Sequence, residues 1–233
     1  MPAEVLLADD GSDERTAQAF QDWAAAPSAR GEHIWQQHDG FRKSRILNEA
    51  IAHARADYVV FLDGDTVPHP RFIADHQELA MSQRFVQGHR ALIGRSAART
   101  FGESELRKER RQALLSGDLN GWKHAFRWPV PLRRIRRDLR GVRGCNLGIW
   151  REHLTKVNGY NEEFTGWGRE DSELAVRLMN SGVVRLDVRG WALCYHLWHP
   201  PLDRAKVPAN DQLLASAVAE GRQSCSMGLS QHK

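Results

Sequence analysis

The stretch "RKSRILNEAIAHARADYVVFLDGD", Arg42–Asp65, decides the fold class. Its first part has apolar residues at helical spacing: Ile46, Leu47, Ala50, Ile51 and Ala54. Its second part, Tyr58–Leu62, is apolar at every position, which is typical of a strand covered on both faces. The stretch therefore predicts a helix followed by a buried strand that ends in Asp63 and Asp65.

The residues before this stretch repeat the same alternation of strand and helix. "EVLLADD", Glu4–Asp10, is a short apolar run that ends in acids, and "HIWQQH", His33–His38, is a second short strand. The segment between them, residues 12–25, places Ala17, Phe20 and Trp23 on one helical face. This alternation predicts βαβ units and an α/β fold with a mostly parallel sheet. Ligands of such sheets bind beyond the carboxyl ends of the strands, where the acids lie.

Asp63 and Asp65 flank a glycine, so a tight turn can direct both carboxylates at one divalent cation. Mg²⁺ or Mn²⁺ bound in this way completes its coordination with substrate phosphates and water. A turn or capping aspartate is the simpler interpretation of either residue. The same letters, Asp63 to Val67, also match the nucleophile signature of haloacid-dehalogenase-type phosphatases, in which Asp63 would accept a phosphoryl group. The motif alone leaves these alternatives open.

The second half is less regular. Residues 84–88 and 91–95 are short strand candidates, and the last 25 or so residues predict one more helix and a tail. In "FTGWGREDSELAVRL", Phe164–Leu178, the adjacent acids Glu170 and Asp171 stand directly before an apolar helical pattern. We predict that a helix begins at these acids and that Gly182 ends it as its C′ residue.

Composition and charge exclude several classes of protein. The 233 residues carry a net charge of +4, and no apolar run is long enough for a membrane span. Nothing at the N-terminus resembles a secretion signal, and three widely spaced cysteines fit a reducing cytosol. Arginines concentrate in residues 106–143. We interpret the cluster at 107–111 as a solvated helix face. The cluster at 133–143 suits anionic lipid headgroups or phosphorylated saccharide. Nucleic acid is disfavoured as its ligand, because no recognisable nucleic-acid-binding module surrounds these arginines.

Several short motifs together resemble the inverting family 2 glycosyltransferases of GT-A fold, with a galactosyltransferase-like second half. The residues that carry the resemblance run in family order: Asp9-Asp10-Gly11-Ser12, Arg45, Asn48, Asp63-Gly64-Asp65, Gly144-Cys145-Asn146, Gly166 to Asp171, His196 and His199. The resemblance implies a Rossmann-like, mostly parallel sheet with flanking helices. It also implies a nucleotide-sugar-binding half at about residues 1–100, an acceptor and catalytic half at about 101–205, and a C-terminal helix and tail at 206–233.

The resemblance implies roles for the residues of the donor site. Asp10, or alternatively Asp9, would hydrogen-bond the uracil of a UDP-sugar, and Arg45 would lie near the diphosphate, whose oxygens a guanidinium matches. Asp65 would bind the metal ion, while Asp63 would contact the ribose or a metal-bound water.

A late histidine is expected to complete the metal site. His196 and His199 both qualify, and imidazole ligands favour Mn²⁺ over Mg²⁺. The alternative for both is interfacial packing beside Trp198.

The resemblance also implies the catalytic residues. Asp171 would be the base that removes the proton from the acceptor hydroxyl, and Glu170 would hydrogen-bond sugar or acceptor hydroxyls. Trp167 would offer an aromatic wall to a sugar ring, with Gly168 letting the backbone approach the donor. The simpler interpretation is that Glu170 and Asp171 only favour the helix dipole.

The sequence departs from the family pattern at its N-terminus, and this departure is expected to affect how the strands pair. The family normally begins with a further strand, and "AEVLLADD" corresponds to its second strand, so we expect strands to be left unpaired or to pair differently. A non-catalytic nucleotide- or saccharide-binding relative therefore remains an alternative to the leading interpretation. That interpretation is a metal-dependent transferase that moves a hexose from a UDP-sugar to a saccharide or lipid-linked saccharide. Relatives of this kind build lipopolysaccharide or capsule in the bacterial cytoplasm, peripherally at the inner face of the plasma membrane.

Overall fold

The computed structural model describes residues 2–102 and 105–232. The chain divides into two compact units. The first unit consists of Met1–Val59, Trp150–Val183 and Leu202–Lys233, and the second consists of Val60–Ile149 and Val184–Pro201.

The first unit contains two short strands and most of the helices. Its elements are β1 (Val5–Asp9), α1 (Glu14–Ala24), β2 (Gly31–Trp35), α2 (Lys43–His53), the start of β3 (Tyr58–Phe61), α5 (Arg151–Lys156), α6 (Glu170–Asn180) and α7 (Val207–Ala219). β1 and β2 pair in parallel, with Val5 opposite Gly31 and Asp9 opposite Trp35. The predicted βαβ unit is thereby confirmed.

A small apolar core holds α2 against this strand pair. Ile34 of β2 packs with Ile46 and Ala50 of α2, and Leu6 and Ala8 of β1 cover the same cluster. The helical spacing seen in the sequence therefore marks the face of α2 that is buried.

α6 begins at Glu170, as predicted. Arg169, immediately before it, has a left-handed backbone with φ of +81°. At the other end, Gly182 has φ of +88°, and its N–H donates to Met179 O, so it is the C′ residue that the sequence predicts.

The second unit contains the longer sheets. Its elements are the end of β3, β4 (Thr66–Pro68), α3 (Phe72–Leu79), β5 (Arg84–Gln87), β6 (Arg90–Ile93), α4 (Leu106–Leu115), β7 (Leu119–Asn120), β8 (Leu132–Arg136), β9 (Leu147–Trp150), β10 (Val184–Arg189) and β11 (Cys194–His196). One sheet has the order β3-β9-β5-β10-β8, and the other has the order β4-β11-β6-β7. Parallel pairs (β5 with β10, β6 with β11) are joined to antiparallel ones, so both sheets are mixed within an α/β fold.

β3 differs from its prediction as a strand covered on both faces. Residues 58–60 are half-buried, Phe61 is buried, and Leu62 is 38% exposed. The physical reason is position, because β3 is the terminal strand of its sheet and has a neighbour on one side only.

Two of the three cysteines are small buried residues. Cys145 and Cys194 are buried, Cys225 is half-buried, and all three are free thiols. Within residues 2–102 and 105–232, no helix has the length and apolarity needed to cross a bilayer.

Candidate active site

A carboxylate and two histidines converge in the second unit. Asp65 immediately precedes β4, and β4 pairs antiparallel with β11, which places His196 directly opposite Thr66. The N–H of Leu197 donates to Asp65 O at 2.8 Å and continues the pairing past the end of the strands. Strand register therefore brings Asp65 beside a histidine more than a hundred residues later in the chain.

The donor atoms of this group face one another. Asp65 Oδ2 lies 3.4 Å from His196 Nε2 and 3.2 Å from His199 Nε2, and one donor atom from each residue lies within 4.8 Å of the other two. His199 Nδ1 is 2.7 Å from Pro200 O, and because a carbonyl only accepts, this nitrogen carries the proton. The other ring nitrogen, His199 Nε2, faces Asp65 Oδ2 and is the atom available to a metal ion.

The environment keeps His196 neutral. Burial, and then the positive charge of Arg90, lowers the pKa of His196, although the carboxylates of Asp65 and Asp63 act in the opposite direction. Asp63 itself is half-buried on the turn between β3 and β4, where its backbone oxygen accepts from Thr66 N–H at 3.0 Å. The two predicted D-x-D acids therefore lie in the same turn, and Asp65 is the one in contact with the histidines.

Asp9, the last residue of β1, is engaged in hydrogen bonds within the first unit. Asp9 is buried and accepts from Ser12 N–H at 2.8 Å, with His33 Nε2 2.8 Å from its other oxygen. Burial raises the pKa of Asp9, but the hydrogen bonds from Ser12 and His33 outweigh it and leave the pKa below its ordinary value. Asp9 is thus a structural anion.

Asp10 is half-buried and fixes the loop that leads into α2. Its Oδ1 accepts from Gln36 Nε2 at 2.5 Å, and its Oδ2 accepts from Arg42 N–H at 2.7 Å. A carboxylate has further lone pairs after these two bonds, so Asp10 keeps acceptor capacity for a ligand. Of the two predicted acids, Asp10 is the more accessible.

Arg45 is exposed and lines an open pocket of the first unit with a volume of about 180 Å³. The other lining residues are Arg42, Glu162, Phe164 and Met227. The two guanidinium groups suit an anionic ligand, whereas Phe164 is buried and Glu162 adds an opposing charge.

The loop before α6 is tied to its surroundings through the backbone. Gly166 N–H donates to Phe41 O at 3.0 Å, and buried Asn210 of α7 donates to Thr165 O at 3.3 Å and to Gly168 O at 2.9 Å. Gly166 has φ of +73°, and a Cβ there would lie 2.6 Å from Lys206, so a larger residue is excluded on two grounds.

Trp167 and Gly168 occupy the middle of this loop. Trp167 is 39% exposed, and the Arg204 guanidinium lies 5.3 Å from the centre of its ring. Gly168 has φ of +107°, a conformation that side-chain-bearing residues rarely adopt. The loop thus presents an indole ring at the surface on a fixed backbone.

The two acids at the start of α6 differ in environment. Glu170 is 6% exposed, and its Oε2 has no hydrogen-bond partner among the described residues, whereas Asp171 is half-buried. Burial, and then the adjacent charge of Asp171, raises the pKa of Glu170 to about 7, against the opposing effect of Lys43. Glu170 therefore holds its proton to a higher pH than an ordinary glutamate, and Asp171 has the greater access to solvent.

Each unit thus assembles part of the predicted set. The second unit brings together Asp63, Asp65, His196 and His199. The first unit holds Asp9 and Asp10 at the end of β1, Arg45 in its pocket, and Trp167 to Asp171 at the start of α6.

The sequence did not single out three residues that support these groups, namely His33, Gln36 and Asn210. Nothing in the sequence separates Asn210 from its polar neighbours Asp211 and Gln212, because only the fold shows that Asn210 is buried.

Comparison with known proteins assigns this arrangement to a family. The family model described as "Glycosyl transferase family 2" matches residues 1–155, more than half of the chain, and "N-terminal domain of galactosyltransferase" matches residues 129–199. The chain belongs to glycosyl transferase family 2 and has a galactosyltransferase-like region.

Among curated proteins, the chain is similar to chondroitin synthase of Escherichia coli, with 26% identity over 212 residues. It is also similar to hyaluronan synthase of Pasteurella multocida, with 24% identity over 210 residues. These alignments cover 83% and 84% of this chain but only 30% and 21% of the relatives. The chain spans less than a third of the length of these relatives.

Solved structures show the same fold. GalNAc-T7 with UDP, GalNAc and Mn²⁺ has a TM-score of 0.57 at 14% identity, covering 84% of this chain and 38% of that one. The catalytic domain of Drosophila β1,4-galactosyltransferase 7 with xylobiose has a TM-score of 0.53 at 16% identity, covering 97% and 83%. The fold is GT-A, as predicted, and the family match gives the phosphatase alternative for Asp63 no support.

Proposed function

We propose that this chain is a metal-dependent, inverting glycosyltransferase that moves a hexose from a UDP-sugar to a saccharide acceptor. One observation carries the proposal, which is the convergence of Asp65, His196 and His199. Acids that only cap a turn do not need two imidazoles directed at the same carboxylate oxygen.

The donor set fits a divalent transition-metal ion. One carboxylate oxygen and two imidazole nitrogens are a mixed set that suits Mn²⁺ better than Mg²⁺, which prefers oxygen ligands alone. Three protein ligands leave coordination positions for diphosphate oxygens and water. When bound, such an ion would stabilise the negative charge that develops on the departing nucleotide.

Other residues supply binding and proton transfer in this proposal. Asp10 accepts a hydrogen bond from the uracil, Arg45 neutralises the diphosphate, and Asp63 contacts the ribose or a bound water. Asp171 accepts the proton of the acceptor hydroxyl as that oxygen attacks the anomeric carbon. Trp167 packs against a sugar ring, for which its exposed indole is suited.

Glu170 needs a revised role within the proposal. Its burial leaves little of the side chain for an acceptor to touch, and its pKa of about 7 means that the protonated, hydrogen-bond-donating form is present alongside the carboxylate near neutral pH. We therefore propose that it contacts hydroxyls only through its protonated oxygen, while Asp171 remains the base.

The names of the relatives support a saccharide as the acceptor. Chondroitin synthase and hyaluronan synthase are bacterial proteins named for saccharide polymers, which supports a growing saccharide as acceptor and a role in cell-surface polysaccharide or lipopolysaccharide synthesis. A lipid-linked saccharide presents the same kind of sugar hydroxyl as a free saccharide, so the proposal includes it as an acceptor. We propose that the reaction takes place in the cytoplasm.

UDP binding measured by calorimetry tests the proposal, in the presence and absence of Mn²⁺. We expect binding by the wild-type chain with Mn²⁺ and a large loss on Mn²⁺ removal or in Asp65→Ala. Asp22→Ala is the matched control, because Asp22 is an exposed aspartate on α1 that bonds only Gln18 among the described residues. Equal UDP binding by Asp65→Ala and wild type would refute the metal assignment.

Asp171→Asn separates an enzyme from a non-catalytic binding relative. The substitution preserves shape and removes the base, so transfer from a UDP-hexose should fall by about 10²–10⁴-fold with UDP affinity retained. Unchanged transfer would exclude Asp171 as the base.

A further inference from the structure

The last strand of the five-stranded sheet in the second unit carries an unusual surface. β8, with the sequence LRRIR, pairs with β10 on one side and is the end of the strand order. We call the exposed residues of this region the arginine edge: Val130, Leu132, Arg133, Arg134, Ile135 and Arg137.

The arginine edge combines exposed apolar and cationic side chains. Val130 is 76% exposed and Ile135 is 57% exposed, although both are large aliphatic residues. Ile135 is paired with Leu186 of β10, whose side chain lies in the core, but β8 is the last strand of the sheet, so Ile135 has a neighbouring strand on one side only in the described part of the chain.

Charge on this segment is strongly one-sided. Residues 130–143 contain six arginines and a single acid, Asp138, a net charge of +5. Asp138 is held by Arg136 at 2.8 Å and also lies 3.8 Å from Arg185. Within the part of the chain that the structure describes, the other five arginines of this segment have no carboxylate partner.

Protection of a sheet edge is the simplest explanation for the arginines, since charged residues prevent strands of other copies from pairing there. This explanation does not account for the exposed Val130, Leu132 and Ile135. Apolar residues on an edge strand promote the association that the charges would prevent. The mixture instead has the composition of surfaces that lie in the interface of an anionic bilayer.

We propose that the arginine edge is a docking surface for a membrane rich in anionic lipid. The arginines would bind headgroup phosphates, and their aliphatic parts would lie along the acyl boundary with Val130, Leu132 and Ile135. A soluble polyanion such as an acidic polysaccharide offers the same charge but no apolar phase, so the aliphatic residues favour the lipid.

Vesicle co-sedimentation of the full chain tests the proposal. The vesicles are made of phosphatidylcholine alone or of phosphatidylcholine mixed with phosphatidylglycerol. We expect binding to the mixed vesicles, with weakening by salt. The variant Arg133→Gln/Arg134→Gln/Arg137→Gln should bind about a hundredfold more weakly, at roughly fivefold per arginine. Ile135→Ser should bind about tenfold more weakly.

Arg107→Gln/Arg111→Gln is the matched control. These arginines are exposed on α4 in the same unit, in a helix that also contains Glu109, and removing them should leave vesicle binding unchanged. Circular dichroism of each variant establishes that the exposed substitutions leave the fold intact.

Three results would overturn the proposal. One is equal binding of wild type and the triple variant to anionic vesicles. Another is an Ile135→Ser variant with full affinity for anionic vesicles, which would mean that charge alone accounts for the binding and that the aliphatic residues do not contribute. The third is binding of soluble chondroitin sulfate in the absence of any vesicle binding, which would assign the edge to a polyanionic saccharide.

Discussion

Arg177→Met is expected to be the most destabilising single substitution of α6. Arg177 and Glu173 are both at most 1% exposed and form a bidentate pair, with Nε–Oε1 at 2.8 Å and the second nitrogen–oxygen contact at 2.6 Å. The remaining Arg177 nitrogen donates to Val157 O at 2.6 Å and to Gly159 O at 2.7 Å. The guanidinium thus joins α6 to the turn after α5.

The magnitude follows from what the substitution leaves behind. Methionine fills much of the volume of the arginine. It leaves the Glu173 carboxylate and the carbonyls of Val157 and Gly159 buried without a hydrogen-bond donor. Breaking a buried ion pair on one side costs about 3–5 kcal/mol. For a chain of this size, that loss corresponds to a decrease in Tm of roughly 6–20 °C.

Urea unfolding followed by far-UV circular dichroism measures this loss as a shift in midpoint at constant slope. Arg15→Met is the control, because Arg15 pairs with Asp13 at the exposed start of α1 and its removal should leave the midpoint in place. The double variant Glu173→Leu/Arg177→Met also removes the unpaired Glu173 carboxylate, but it leaves the carbonyls of Val157 and Gly159 without donors. It should recover only in part and remain about 1–3 kcal/mol below wild type.

Two outcomes would refute the reasoning. A loss below about 1 kcal/mol in Arg177→Met would mean that the pair is not buried as described. A double variant as stable as wild type would mean that the carbonyls find other donors.

Three further predictions concern the candidate site. The pKa of Glu170 is raised from 4.5 to about 7 on folding. Its contribution to the free energy of unfolding is therefore full below about pH 4.5 and is lost as the pH rises through about 7. The free energy of unfolding changes by about 3 kcal/mol across this window. Glu170→Gln should therefore raise the unfolding free energy at about pH 8 and leave it nearly unchanged at about pH 4; an equal effect at both values would contradict the raised pKa. Asn210→Ala removes the hydrogen bonds to Thr165 O and Gly168 O, so transfer activity should fall more than UDP affinity, as a kcat and Kd comparison would show. His199→Ala should weaken Mn²⁺ binding at least tenfold by titration calorimetry, and unchanged affinity would remove His199 from the ligand set.

Motif order predicted the convergence of Asp65 with the two late histidines, although no local pattern connects them. That prediction came from family resemblance, since strand register is a tertiary property. Local signals did predict the start of α6 at Glu170 and its end at Gly182, because caps and glycine conformations depend on a few neighbouring residues.

Burial and hydrogen-bond partners were the parts that the sequence could not supply. The apolar run at Tyr58–Leu62 does not reveal that β3 ends a sheet. Likewise, two adjacent aspartates look equivalent in the sequence, and only the fold shows that Asp9 bonds His33 while Asp10 bonds Gln36 and Arg42. Glu170 differs from Asp171 for the same reason, since one position on a helix faces the interior and the next faces out.

The pairing of β4 with β11 has a consequence for how this protein would respond to chelators. Asp65 and His196 are aligned by backbone hydrogen bonds that need no ion, so the apoprotein already holds its coordinating atoms in place. In the proposed metal-dependent enzyme, stripping the cation should therefore abolish turnover without unfolding the chain, the melting temperature should fall only by what ion binding had contributed, and activity should return without a refolding step. Zinc-finger-like modules behave in the opposite way, because they unfold when they lose their ion.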